Sequence, residues 1–225
     1  MTPRPPTVAA RIASAMAPLA QRLRDRDLLY WKRARVVRCD SLGREEPTAT
    51  AVDAREASDE DLHLLASMQG RPGGDWFARR ARGIVCLVAW SGPAPIGYLW
   101  ITRSAEEMTE VNHVLDVSRD PVGAYLFDGY VFPSHRRKGV LRGLLQSSKR
   151  WGAQRGLSRL YAAFTRDNHV SERALHRAGF QAVVGDIALL RVLHRDWKWI
   201  RIPRGTPVVE VLTADRPRQR MPSPT

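Results

Sequence analysis

Apolar and polar positions along this chain alternate with the periods of strands and helices. An apolar run at 125–132 is closed by Pro133, which has no N–H to continue a ladder. A helical pattern follows, with Val140, Leu141, Leu144, Leu145, Ser148 and Trp151 on one face and Arg142, Gln146, Lys149 and Arg150 on the other. Gly156 suits the position just past its end. Residues 160–164 read as a strand and 170–178 as a short helix stopped by Gly179. Upstream, 28–40 has strand composition and 49–54 suits a strand. Ser58, followed by Asp59, Glu60 and Asp61, opens a helix continued by Leu62, Leu64, Leu65 and Met68. Asp75 caps a short helix to Ala81. Residues 84–90 and 96–102 form a hairpin-like pair around a five-residue loop, and 111–117 is expected to pair with 124–132. Late strands are expected at 180–193, 197–202 and 208–212. The pattern at 8–23, with Ile12, Met16, Leu19 and Leu23 on one face, reads as a helix interrupted by Pro18. Residues 1–7 and 213–225 read as mobile ends. These elements imply an α/β fold, a mixed sheet covered by helices.

Between the strand at 125–132 and the following helix lies Arg136-Arg137-Lys138-Gly139-Val140-Leu141-Arg142. A basic, glycine-containing turn at a helix N-terminus offers free backbone N–H groups, the positive end of the helix dipole and several cations. Those parts suit a polyphosphate. The alternative is an ordinary basic strand-to-helix turn.

The same stretch resembles the GNAT family of acetyl-CoA-dependent N-acetyltransferases. The resemblance rests first on Val131-Phe132-Pro133 followed by Arg136-Arg137-Lys138-Gly139-Val140-Leu141, where Leu141 stands in place of the family's last glycine or alanine. It rests second on Asn168-His169-Val170-Ser171, then Leu175 and Gly179-Phe180. It covers roughly 48–204, and implies a GNAT-like domain there, an N-terminal extension at 1–47 and a C-terminal strand and tail at 205–225. It implies a splayed sheet whose gap takes the pantetheine arm of the acyl donor, acetyl-CoA, against the backbone at Tyr130, Val131 and Phe132. The pyrophosphate would sit on the amides of Arg137 through Arg142, with Arg136, Lys138 and Arg142 as nearby cations. The Asn168 amide would bond the pantetheine, or Asn168 would simply cap its helix, and Ser171 would assist in either role. Backbone N–H groups near Val131 and Phe132 would stabilise an oxyanion.

Attack by an amine needs a base. Asp128, a carboxylate within the strand facing the splay, is the first choice, with Glu110 and Asp116 behind it. A tyrosine of many relatives, the acid for the leaving thiolate, is replaced by Leu175, so Tyr130, water or His176 would serve. No metal-ligand spacing is present.

The formal net charge is +13 in 225 residues, with nine Lys/Arg and no Asp/Glu from Pro133 to Arg166. That balance attracts anions. It leaves a basic nucleic-acid-binding protein as an alternative, along with an acyl-CoA-binding module without turnover. Cys39 and Cys86 are too far apart in sequence for metal spacing, and are expected as buried thiols in a reducing, cytoplasmic setting. No apolar run reaches the roughly 20 residues of a membrane span. The alanine-rich N-terminus, with Arg4 and Arg11 and no acid before Asp25, also resembles a transit peptide. Trp197 and Trp199 alternate on a late strand and are expected to pack rather than to cage a substrate.

Overall fold

The computed structural model describes residues 29–43, 52–70, 74–192, 195–201 and 210–213. The expected helix at 8–23 and both chain ends lie outside them. Strands β1 (Leu29–Cys39), β2 (Asp53–Glu56), β3 (Val85–Ser91), β4 (Ala94–Thr102), β5 (Ala105–Met108), β6 (His113–Asp116), β7 (Gly123–Val131), β8 (Arg159–Thr165), β9 (Ala182–Val192), β10 (Arg195–Arg201) and β11 (Glu210–Thr213) alternate with four helices. These are α1 (Asp59–Met68), α2 (Gly74–Ala81), α3 (Val140–Gln154) and α4 (His169–Arg177). A 3₁₀ turn, Pro133–His135, follows β7.

Eight strands form one sheet in the order β10-β9-β1-β8-β7-β4-β3-β2, and β11-β6-β5 form a second. Every described pairing is antiparallel except β7 with β8. That parallel pair needs a crossover, and α3 supplies it. The segment expected to pair 111–117 with 124–132 does otherwise: β6 pairs with β5 and β11, and β7 with β4 and β8. The polar segment after Thr102 is itself a strand, because β6 gives it a partner. The β3–β4 loop shrinks to Gly92 and Pro93, since Ser91 and Ala94 are already paired.

β1 is an interior strand. It pairs with β8 from Ala34 to Cys39 and with β9 from Leu29 to Arg38. Side chains of one parity, Ala34 and Val36, enter the core beneath α1 and α2 with Trp76, Trp100 and Phe127. Those of the other parity, Val37 and Cys39, enter the core beneath α3 and α4 with Leu144, Trp151, Leu175 and Phe180. Both cysteines are buried and unpaired.

α1 starts where the acidic run predicts. Ser58 caps it, with Ser58 Oγ accepting from Asp61 N–H and Asp61 accepting from Ser58 N–H. α3 buries the expected face, but the polar face is not all solvated: Gln146 and Lys149 are buried too. α4 packs on that side, and Lys149 Nζ donates to the Ala178 carbonyl at 3.4 Å, at the negative end of α4.

Candidate active site

β7 and β8 pair only from Gly123 to Leu126 and from Arg159 to Ala162. Beyond that point β7 continues along β4 while β8 continues along β1. The edge of β7 from Phe127 to Val131 is therefore open toward β8, and the splay is present. The strand is also bulged: Asp128 and Gly129 stand against the single residue Leu99, and Asp128 takes φ +46°. The bulge resets the alternation. Phe127 and Tyr130, which strict alternation would place on opposite faces, both pack on the α1–α2 core, and Tyr130 stacks on Tyr98 at 5.7 Å.

Sheet register decides which amides are available. The Phe132 N–H donates to the Ile96 carbonyl at 3.1 Å. Phe132, expected as an oxyanion donor, is thus already engaged. The same bond makes Gly97 and Val131 a non-hydrogen-bonded pair, which directs the Val131 N–H away from β4 and into the gap. The Val131 carbonyl accepts from Arg136 Nε at 3.2 Å, so Arg136 clamps the strand end, its guanidinium 5.8 Å from the Tyr130 ring centre.

The basic turn leads directly from there into α3. Gly139 is the N-cap residue at φ +81°, a left-handed conformation that glycine adopts without strain. Arg137 is left-handed as well, at φ +62°, where a β-carbon is costly. Among the described residues, the N–H groups of Arg137, Lys138, Gly139, Val140 and Leu141 make no hydrogen bond. Arg136, Arg137 and Lys138 are exposed around them, and Arg142 is half-buried. Leu141 leaves its amide available, with its side chain turned to the α3 core. This row of unengaged amides under a positive dipole fits a pyrophosphate, and the open β7 edge beside it fits an extended amide-bearing arm.

Asn168 and Ser171 stand at the start of α4, just past the end of β8. The Asn168 side chain accepts from the Ser171 N–H at 3.1 Å, so it caps the helix and keeps its NH₂ group to donate. Leu175 is buried in the core, without an ionisable atom. His176 packs edge-on to Phe164 at 6.5 Å. Glu110 and Asp116 lie in or beside the small sheet. The Glu110 backbone carbonyl accepts from Tyr30 Oη, and the Asp116 carboxylate accepts from Ser118 N–H.

Asp128 accepts from Arg79 Nη1 at 2.7 Å. The Arg79 guanidinium in turn lies 5.2 Å from the Trp100 ring centre and 5.0 Å from that of Phe127. Nothing local in the sequence points to Arg79, whose partner is 49 residues away on another element. A cavity of about 210 Å³ lined by Leu62, Arg80, Ile84, Cys86 and Trp100 opens elsewhere and holds none of the expected site residues. Among the described residues, no cluster of three His, Cys, Asp or Glu side chains is placed to hold a metal, and no helix is long and apolar enough to cross a membrane.

The Acetyltransferase (GNAT) family matches residues 47–180. No curated protein matches the chain. Among solved structures, an acetyltransferase from the GNAT family from Colwellia psychrerythraea is 14% identical, the match covering 82% of this chain and 63% of that one at a TM-score of 0.52. An aminoglycoside antibiotic 6'-N-acetyltransferase from Acinetobacter haemolyticus is 20% identical, covering 58% of this chain and 92% of that one at a TM-score of 0.44. At these identities the Colwellia match speaks to the fold alone.

Proposed function

Since the chain belongs to the GNAT acetyltransferase family, we propose that it transfers an acyl group, most simply acetyl, from acyl-CoA to an amine. The observation that carries this reading is the continuity of two features: an open interior edge on β7, and five unengaged amides at the start of α3. When bound, acyl-CoA supplies an activated thioester carbonyl. Amides from Arg137 to Leu141 hold its phosphates, with Arg137 and Lys138 as mobile counter-charges. Gly129 and Val131 offer backbone groups to the pantetheine, and Asn168 donates from the opposite lip. The Val131 N–H is the donor aimed where an oxyanion would form. Asp128 accepts a proton from the attacking amine, directly or through a water, while Arg79 fixes its carboxylate. Tyr130, half-buried on the same strand, is the nearest proton donor in sequence for a leaving thiolate.

Acetyl-CoA should raise the unfolding temperature, because it binds only the native chain. Acyl loss in the presence of a panel of amines then tests turnover. A module that holds acyl-CoA without turnover is the second reading, favoured by the buried Leu175 and by the engagement of Asp128 with Arg79. Stabilisation by acetyl-CoA without acyl loss to any amine would select it.

A further inference from the structure

The outer edge of the large sheet carries a second surface that acyl transfer does not use. On β10 the residues Arg195, Trp197, Trp199 and Arg201 alternate onto one face. Register sets Trp197 beside Leu190 of β9 and then Trp31 of β1, and Trp199 beside Ala188 and then Arg33. On β1 this is the face that, further along, carries Val37 and Cys39 beneath α3 and α4. The shelf continues the helix-bearing face, and among the described residues no helix covers it. Trp31, Trp197 and Trp199 are 53%, 43% and 50% exposed, and the rings of Trp31 and Trp199 meet edge-on at 6.0 Å. Three large rings on one open surface are costly to leave in water. Their surroundings are cationic: Arg33, Arg195 and Arg201 are exposed. The one acid in these rows, Asp186, is held by Arg35 through two bonds of 2.8 and 3.0 Å. The single acid of β10, Asp196, turns to the opposite face and pairs with Arg191.

We propose that this shelf binds single-stranded nucleic acid, with unpaired bases stacked on the tryptophans and phosphates against Arg33, Arg195 and Arg201. Stacking platforms interleaved with cations are the physical requirement for such a ligand. A second copy of the chain suits the face poorly, because a two-fold contact would set the same arginines against each other. A planar anionic membrane suits it poorly as well. α4 stands on the same face, near enough for Glu172 in its first turn to act on Arg35, so a flat bilayer meets the helix before the rings. A strand one nucleotide wide lies beside the helix without hindrance, whereas a duplex offers no free base faces.

The test uses the full chain and a labelled oligothymidylate of about 16 nucleotides, followed by fluorescence anisotropy across a salt series. Binding should exceed that of a hairpin duplex of matched length. Trp197→Ala with Trp199→Ala should weaken it about tenfold or more, and Trp197→Phe with Trp199→Phe should retain most of it. Arg195→Ala with Arg201→Ala should reduce the slope of log affinity against log salt by about 1.4, the value for two single-strand phosphates. Circular dichroism melts identify variants that fail to fold, and the phenylalanine and arginine variants keep the test decisive in that event. Three results would overturn the proposal: equal affinity for duplex and single strand, unchanged affinity in the folded alanine variant, or vesicles of anionic phospholipid captured through the tryptophans in place of the oligonucleotide.

Discussion

Gly139 takes φ +81° at the N-cap of α3, and Arg137, two residues before it in the basic turn, takes φ +62° without glycine's freedom. Gly139→Val should therefore strain the turn and crowd the bound anion, lowering coenzyme A affinity by at least about tenfold in calorimetry while the fold persists. Unchanged affinity in a folded variant would remove the turn from the cofactor site. Arg137→Gly works in the other direction on stability. It should stabilise the free protein by about 1 kcal/mol by relieving strain, and weaken coenzyme A only modestly through the loss of one exposed charge. Asp128→Asn should keep coenzyme A affinity and lower turnover by roughly 10²-fold, the usual cost of a lost general base. Arg79→Ala, which frees the same carboxylate, should lower kcat and leave coenzyme A affinity unchanged. An unchanged kcat in the folded variant would show that Arg79 does not act through Asp128.

The elements differ in how much of them local sequence could announce. α1, α3 and the turn between β7 and α3 were legible because capping acids, a 3.6-residue period and a glycine act over a few residues. The burial of Lys149 was not, because it depends on α4 supplying a carbonyl at its C-terminus. Nor was the β7 bulge, which needs Leu99 on β4 to stand against two residues. Two pairings with β-strand or cap residues make a pH prediction. The Asp61 carboxyl is held below the ordinary aspartate value of 3.8, first by its bond to Arg55, and that of Asp186 likewise by Arg35. Folded values below unfolded ones mean that the stabilisation is complete above about pH 4 and disappears as the pH falls through the folded values. Acid titration of the unfolding free energy should decline in that window. Asp61→Asn should make the decline shallower. Asn168→Ala removes the α4 cap and should cost about 1 kcal/mol in denaturant unfolding.

At the scale of the molecule, a mixed sheet with helices and a divergence beside the basic turn followed from the order of elements and the two motifs. The site of Leu29–Cys39 did not, because a strand's neighbours are chosen by long-range packing rather than by its own composition. That strand precedes the family-matched region at 47–180, yet it joins β8 to β9 in the middle of the sheet. Its side-chain bonds to Asp167 and Asp186 span 135 and 151 residues of chain. The ribosome therefore releases β1 long before either partner exists. Until then it is a strand with two unpaired edges, and the sheet closes around it only when β9 has emerged. Nascent chains stalled after β8 should remain protease-sensitive and hold chaperones, and protection should arise abruptly once β9 clears the exit tunnel. Formation of the gap between β7 and β8 thus waits on later chain, since β8, one of its two lips, is held by β1, and β1 gains its other neighbour only with β9.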